Sequence, residues 1–527
     1  MRAALALAVA SGASLAVACG TEKEFQLIRK NAIAARAAAS SALTSAPAGA
    51  ATVATGPAAA APTVQTATRT DEASAAKVTN PAQECQVYSY PPVAALQAQK
   101  VFPPIWQIAN LSTAQPEVVS LFNALNGSIP KISPKGTPTG DFTGVNCSST
   151  LLRLLSRQPC YLYVVLTSSF DADNGAQDPD CWWTWKQCHT PKLAGLPQDI
   201  YMVPEPQTWG LGFDDGPNCS HNAFYDFLFE QKQKATLFYI GSNVLDWPLE
   251  AQRGLADGHE MCDSSLAPPS ETPKLTSFHS CAHTWSHRYM TSLTNEQVFA
   301  ELYYSKKAIK DVLGVTVQCW RPPYGDVDDR VRYIANSLGM QTQIWRDNTF
   351  DYEIATLPRS QIEANYADII KAGQNGTFAN NGTIVLTHEL NNDTMALMME
   401  NYPKIKAAFK NIVPIGVAYN NTQPYVEKEY TYPNFSQYVA GTLSVSLAAP
   451  TAVSTDASLS IPLSSGASGS ISATVSYASN TATGGSAANA QSSGKSAAGR
   501  NVEGGVLGAV IAAVVGAAGA GAMAVLV

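Results

Sequence analysis

Five polar clusters, each closing an apolar run, carry residue types that could do chemistry together. Asp214 and Asp215 follow the apolar residues 208–213. Two adjacent carboxylates repel each other unless a cation or a shared proton offsets their charge. His283 and His287 stand four residues apart, which predicts two imidazoles on one face of a helix, close enough to hold one metal ion. Alone, such a pair is more often a surface or core feature. Beside Asp-Asp it completes a His, His, Asp set that leaves coordination positions open for water and substrate. Trp320-Arg321-Pro322-Pro323-Tyr324-Gly325-Asp326 predicts a rigid loop whose backbone N–H groups can aim at one point. Residues 345–352 bring Asp347 and Asp351, and Leu386-Thr387-His388 ends a β-rich run with a further histidine.

Positioning these groups requires strands. Apolar β-rich runs fall at 208–213, 234–240, 314–320, 341–345 and 382–386. Helical patterns fall between them at 222–231, 249–257, 295–313, 329–338, 361–371 and 402–410. In the longest, Val298, Leu302, Ile309 and Leu313 share one face. Repeated β-α units with functional groups at strand ends predict an α/β fold, a distorted (β/α) barrel.

The pieces F-D-D-G-P, H-T-W-S-H, R-P-P-Y-G-D and I-V-L-T-H, in this order, resemble the NodB-type polysaccharide deacetylases, carbohydrate esterase family four, and within it the fungal chitin deacetylases. The resemblance covers about residues 175–420. It implies a divalent ion, zinc or cobalt, held by Asp215, His283 and His287. It further implies Asp214 as general base, His388 as the acid that protonates the leaving amine, Arg321 orienting Asp214, and Asp351 tuning charge near His388 or Arg321. Substrate would meet Asp214, Trp320, Leu386 and Tyr324, whose backbone N–H would face the oxyanion. The substrate implied is chitin or another N-acetylglucosamine polymer. The alternatives are an esterase for acetylated xylan and an inactive sugar-binding wall glycoprotein. Where the family commonly has D-x-x-D-W, this chain has Asn348-Thr349-Phe350-Asp351-Tyr352; Asn accepts a hydrogen bond but holds no negative charge. Trp182, Trp183, Trp247 and Tyr324 are candidates to stack on sugar rings, although core packing is the equal or better expectation for Trp247 and for at least one of the Trp pair.

Composition bounds the rest. With 14% charged residues and net charge -7, no basic patch suits nucleic acid. Residues 1–18 have the order of a secretory signal, ending Ala16-Val17-Ala18. A low-complexity leader follows at 19–80, an N-terminal extension at 81–204, the catalytic domain at 205–420 and a domain edge at 421–440. Residues 441–500 read as an O-glycosylated stalk too poor in large apolar groups to fold. Residues 501–527 end in an apolar tail, behind Ser496-Ala497-Ala498; this is the order of a GPI-attachment signal, with Ser496 as anchor site and the plasma membrane or cell wall as destination. N-glycosylation sequons begin at Asn110, Asn126, Asn375, Asn381, Asn392, Asn420 and Asn434. Of the ten cysteines, Cys85, Cys181, Cys188, Cys219, Cys262 and Cys319 lie in or beside family-like sequence and suggest three disulfides of open connectivity. Residues 263–281 contain three prolines and no period, and they interrupt the approach to His283. The expectation is that the native protein lacks them, since Cys281 has no family-like partner and Cys262 would then precede Ala282 directly. Residues 145–170, with Cys147 and Cys160, raise the same expectation less sharply.

Overall fold

The computed structural model describes residues 67–142, 178–260 and 281–442, with Val445, Val453 and the strand segments 459–464 and 470–475. The signal, residues 145–170, Cys262, residues 263–280 and the Ser496 region lie outside the described residues.

Eight strands form the central sheet, all paired in parallel. They are β1 (Thr208–Gly216), β2 (Thr236–Tyr239), β3 (Cys281–Ala282), β4 (Cys319–Trp320), β5 (Gln341–Thr342), β6 (Asp347–Asn348), β7 (Thr383–Leu386) and β8 (Asn411–Pro414). Their order is β5-β4-β3-β2-β1-β7-β6, with β8 also on β1. Residues 208–211 of β1 pair with β8, whereas 212–216 pair with β2. The sheet therefore forks and curls around β1, which is the distorted barrel expected. β1 is buried along its whole length, hence its apolar sequence up to Asp214: strands of a parallel sheet are covered on both faces.

The covering helices are α3 (Asn222–Glu230), α4 (Gly241–Asp246), α5 (Pro248–Ala256), α6 (Asn295–Leu313), α7 (Asp329–Ser337), α8 (Arg359–Gln374) and α9 (Asn392–Ala408). α6 matches its predicted span because both ends are written in sequence. Thr294 and Gln297 close a capping box, and Gly314 takes the left-handed stop at φ 79°. Its predicted apolar face is buried.

Other spans differ. The strand expected at 314–320 shortens to Cys319–Trp320, and that at 341–345 to Gln341–Thr342. β5 is continued only by a bridge from Gln343 to Ile200. The helix expected at 402–410 is the end of α9, which starts at Asn392 because the Asn391 side chain accepts from the Asp393 and Thr394 N–H groups. Within the segment expected not to fold, Leu459–Ser464 pairs antiparallel with Ser470–Val475. The register sets Leu459, Ile461 and Leu463 opposite Val475, Ala473 and Ile471, an alternation of period two that the Ser/Thr-rich composition masks.

Upstream residues join the same core. α1 (Pro91–Ala98) and α2 (Pro116–Asn126) contribute Val93, Val118 and Leu121, and Trp106, Trp183 and Ile200 pack in the cluster that holds Trp209 and Leu211. Disulfides Cys85–Cys219 and Cys181–Cys188 secure the segment. The third described disulfide is Cys281–Cys319. Cys281 thus has a partner, contrary to the expectation from family-like positions.

Candidate metal centre and active site

Neighbouring side chains of a regular strand face opposite ways, so Asp214 and Asp215 need an irregularity to serve one site. β1 supplies it: its register with β2 shifts between Asp214 and Gly216, and Asp215 sits at φ 72°. Such a bulge re-aims a side chain. Asp214 keeps its place in the ladder, donating its N–H to the Thr387 carbonyl at 3.0 Å.

The two histidines converge without a helix. β3 ends at Ala282, and Thr284 (φ 62°) and His287 (φ 54°) adopt left-handed backbone. The predicted helical face is therefore corrected to a tight turn after a strand. Left-handed backbone costs roughly 1–2 kcal/mol per non-glycine residue, and Glu301 of α6 offsets it. Its Oε2 accepts the Trp285 and Ser286 N–H groups at 3.0 and 2.8 Å, and its Oε1 accepts the Ser286 hydroxyl at 2.7 Å.

Asp215 Oδ1 lies 3.3 Å from His283 Nε2 and 3.2 Å from His287 Nε2. The three side chains are buried, and their ligand atoms lie within 4.8 Å of one another. Among the described residues, neither Asp215 oxygen accepts a hydrogen bond of ordinary geometry. A buried carboxylate facing two imidazole nitrogens fits a divalent ion. Burial acts to raise the Asp215 pKa, but the facing imidazoles of His287 and His283 outweigh it and hold the carboxyl well below its usual range. Burial lowers His287 to about 4, against the pull of Asp215. Both groups thus keep the forms a metal requires, carboxylate and neutral imidazole. His283 Nδ1–H donates to the Arg321 carbonyl at 2.8 Å, which presents Nε2 to Asp215.

Two further pairs flank this triad. Arg321 Nη1 donates to Asp214 Oδ1 at 2.6 Å, while Asp214 Oδ2 is 3.9 Å from His283 Nε2. The guanidinium lies 3.7 Å from the Phe238 ring centroid, so it is fixed on both sides. On β7's extension, His388 Nδ1–H donates to Asp351 Oδ1 at 2.7 Å, and the His388 N–H donates to Asp351 Oδ2 at 2.9 Å. His388 Nε2 is 4.0 Å from Asp215 Oδ2. Asp351 therefore serves His388. Asn348 donates to the Tyr352 hydroxyl at 3.2 Å and accepts from the Phe350 N–H, a structural turn.

Tyr324, in the left-handed turn Pro323–Gly325 at φ 60°, stacks on Tyr289 and sets its ring 4.7 Å from that of His287. Trp320 is buried, its Nε1 donating to Thr342 Oγ1, and Leu386 is buried at the end of β7. Trp182 and Trp183 are buried too, Trp182 donating to Asp326 at 2.9 Å. They are core residues and not exposed platforms; Trp247 is half-buried. Asn110, Asn126, Asn375, Asn392 and Asn420 are exposed, and Asn381 and Asn434 half-buried. Two positioning residues escaped the sequence reading. Glu301 looks like a solvated helix charge, and Asn243, whose Nδ2 donates to the Asp215 carbonyl at 2.8 Å, carries no motif.

Residues 202–343 match the family described as polysaccharide deacetylase. The chain is 50% identical over 384 residues to chitin deacetylase 2 of Cryptococcus neoformans var. grubii, covering 72% of this chain and 74% of that protein. It is 44% identical over 361 residues to the chitin deacetylase of Amylomyces rouxii, covering 67% and 74%. The solved structure of the Colletotrichum lindemuthianum chitin deacetylase aligns at 20% identity and TM-score 0.36, over 43% of this chain and 92% of that one.

Proposed function

The chain belongs to the polysaccharide deacetylase family, with the fungal chitin deacetylases, and from that premise we infer that it hydrolyses the N-acetyl groups of chitin to chitosan and acetate. The observation that carries this is the buried convergence of Asp215, His283 and His287, flanked by the Asp214–Arg321 and His388–Asp351 pairs. The triad would hold zinc or cobalt. When bound, the ion supplies Lewis-acid polarisation and lowers the pKa of water from about 15.7 toward 7.

The residues divide the remaining work. Asp214, held by Arg321 through Oδ1, takes a proton from the attacking water as its oxygen bonds to the acetamide carbon. The backbone N–H of Tyr324 donates to the developing oxyanion. His388, its Nδ1–H committed to Asp351, carries a proton on Nε2 to the amide nitrogen. The C–N bond then breaks to leave acetate and the free amine, since an amide does not readily expel an unprotonated amine anion. Trp320 and Leu386, expected from the resemblance to meet the substrate, are fully buried and would support the site from behind without touching the sugar.

The three disulfides among the described residues are those of a chain that matures in an oxidising compartment. The order of small residues, spacer and apolar tail around Ser496 supports attachment through GPI and work at the cell wall. Acetate release from chitin oligomers and from acetylated xylan, with and without chelator, tests the assignment. Chelator-sensitive release from chitin oligomers is expected; release from xylan alone would reassign the substrate, and none from either would indicate a sugar-binding wall glycoprotein.

A further inference from the structure

Outside the metal centre, a cavity of about 170 Å³ opens between the N-terminal segment and the corner joining α4 to α5. Its lining includes Tyr88, Ser89, Tyr90, Gln97, Asp246 and Trp247. The Tyr88 and Trp247 rings stand 6.1 Å apart at 53°. Hydrogen bonds hold the walls. The Tyr88 hydroxyl donates to Glu250 Oε2 at 2.5 Å and accepts the Leu249 N–H at 3.0 Å. Trp106 Nε1 donates to Asp246 Oδ2 at 3.1 Å.

With the buried Tyr88 ring behind them, 4.6 Å beneath the Arg69 guanidinium, the half-buried Trp247 and Tyr90 rings and the carboxylate, amide and hydroxyl around them suit a pyranose. Its C–H face packs on the rings, and its hydroxyl and acetamide groups find acceptors and donors at the edge. The volume is below the roughly 300–1,000 Å³ of sites for drug-sized ligands, so it admits a single ring. Both walls are tied to the catalytic centre. Asn243 holds the Asp215 carbonyl about one turn before Asp246 and Trp247. Cys85–Cys219 joins the segment bearing Tyr88 and Tyr90 to the loop after Asp214 and Asp215.

We propose that this cavity is a secondary glycan subsite, taking one N-acetylglucosamine ring of the polymer; this rests on the proposed function for the identity of the sugar. Calorimetric titration of chitin hexamer into the full-length Asp214→Asn chain reads the subsite without turnover. Adding Trp247→Ala is expected to weaken hexamer binding about tenfold, and Trp247→Phe to recover most of it. Ala94→Trp, which fills the cavity from the exposed side of α1 and removes no packed side chain, should weaken it similarly and keeps the test valid if W247A fails to fold. Hexamer affinity within twofold of the parent in W247A or A94W, or no hexamer binding by the parent, overturns the subsite. A wild-type chain that releases no acetate from any chitin oligomer instead overturns the catalytic reading, and weakened hexamer binding in the variants then still supports the cavity.

Discussion

The residues proposed for the chemistry announce themselves by type and order: Asp214-Asp215, His283 with His287, and His388, with Arg321 on Asp214 and Asp351 on His388, all converge as the motifs imply. The residues that hold the turn between the two histidines do not. Glu301 sits in a helix among Lys, Ser and Tyr, where a charge reads as solvent-facing, and only the fold shows it accepting three bonds from the His283–His287 turn. Glu301→Ala leaves those buried N–H groups without an acceptor, at about 1–3 kcal/mol each. Urea unfolding should show a loss of about 3 kcal/mol, and zinc titration a weakened site. A variant with wild-type metal affinity would mean the turn holds its shape unaided.

Element boundaries were legible where caps are explicit, as at Thr294 and Gly314, and illegible where a short strand is set by its neighbours. β3 and β4 are two residues each, too short for periodicity to reveal, and each precedes a functional residue: Cys281-Ala282 leads to His283, and Cys319-Trp320 to Arg321. The Cys281–Cys319 disulfide clamps this pair. It also alters the meaning of residues 263–281, because removing them would set Cys262 directly before Ala282, in the place Cys281 holds. A chain lacking 263–281 is therefore expected to fold, join Cys262 to Cys319 and deacetylate chitin oligomers; peptide mapping of the native protein would lack any peptide spanning 275–287. Cys319→Ser in that shortened chain should cost roughly 2–4 kcal/mol of stability. Loss of activity on deleting 263–281 would show the segment belongs to the enzyme.

Across the whole molecule, buried neutral histidines couple stability to pH. Burial lowers His259 to about 3, and its Nδ1 accepts the Ala235 N–H at 3.2 Å, which requires that nitrogen unprotonated. Between about pH 3 and 6.5 the unfolded chain holds a proton there that the native chain does not, so stability falls as pH drops through that window. At pH 5 the contribution should be about 2 kcal/mol below its value at pH 7. His259→Gln, which keeps an acceptor, should flatten that part of the urea-unfolding profile; an unchanged slope would assign it to other groups. The proposed GPI attachment is tested at this scale too: truncation before Gly499 should send the protein to the medium, and its retention at the membrane would contradict the proposal. The central claim is that one triad binds the metal while Asp214 performs the chemistry, and measuring bound metal per chain beside acetate release in the same preparations tests it most directly. His287→Ala should lose metal and turnover together, whereas Asp214→Asn should keep about one ion per chain and lose roughly 10²–10⁴-fold in rate. An Asp214→Asn enzyme that holds its metal and deacetylates chitin oligomers at the wild-type rate would contradict the account.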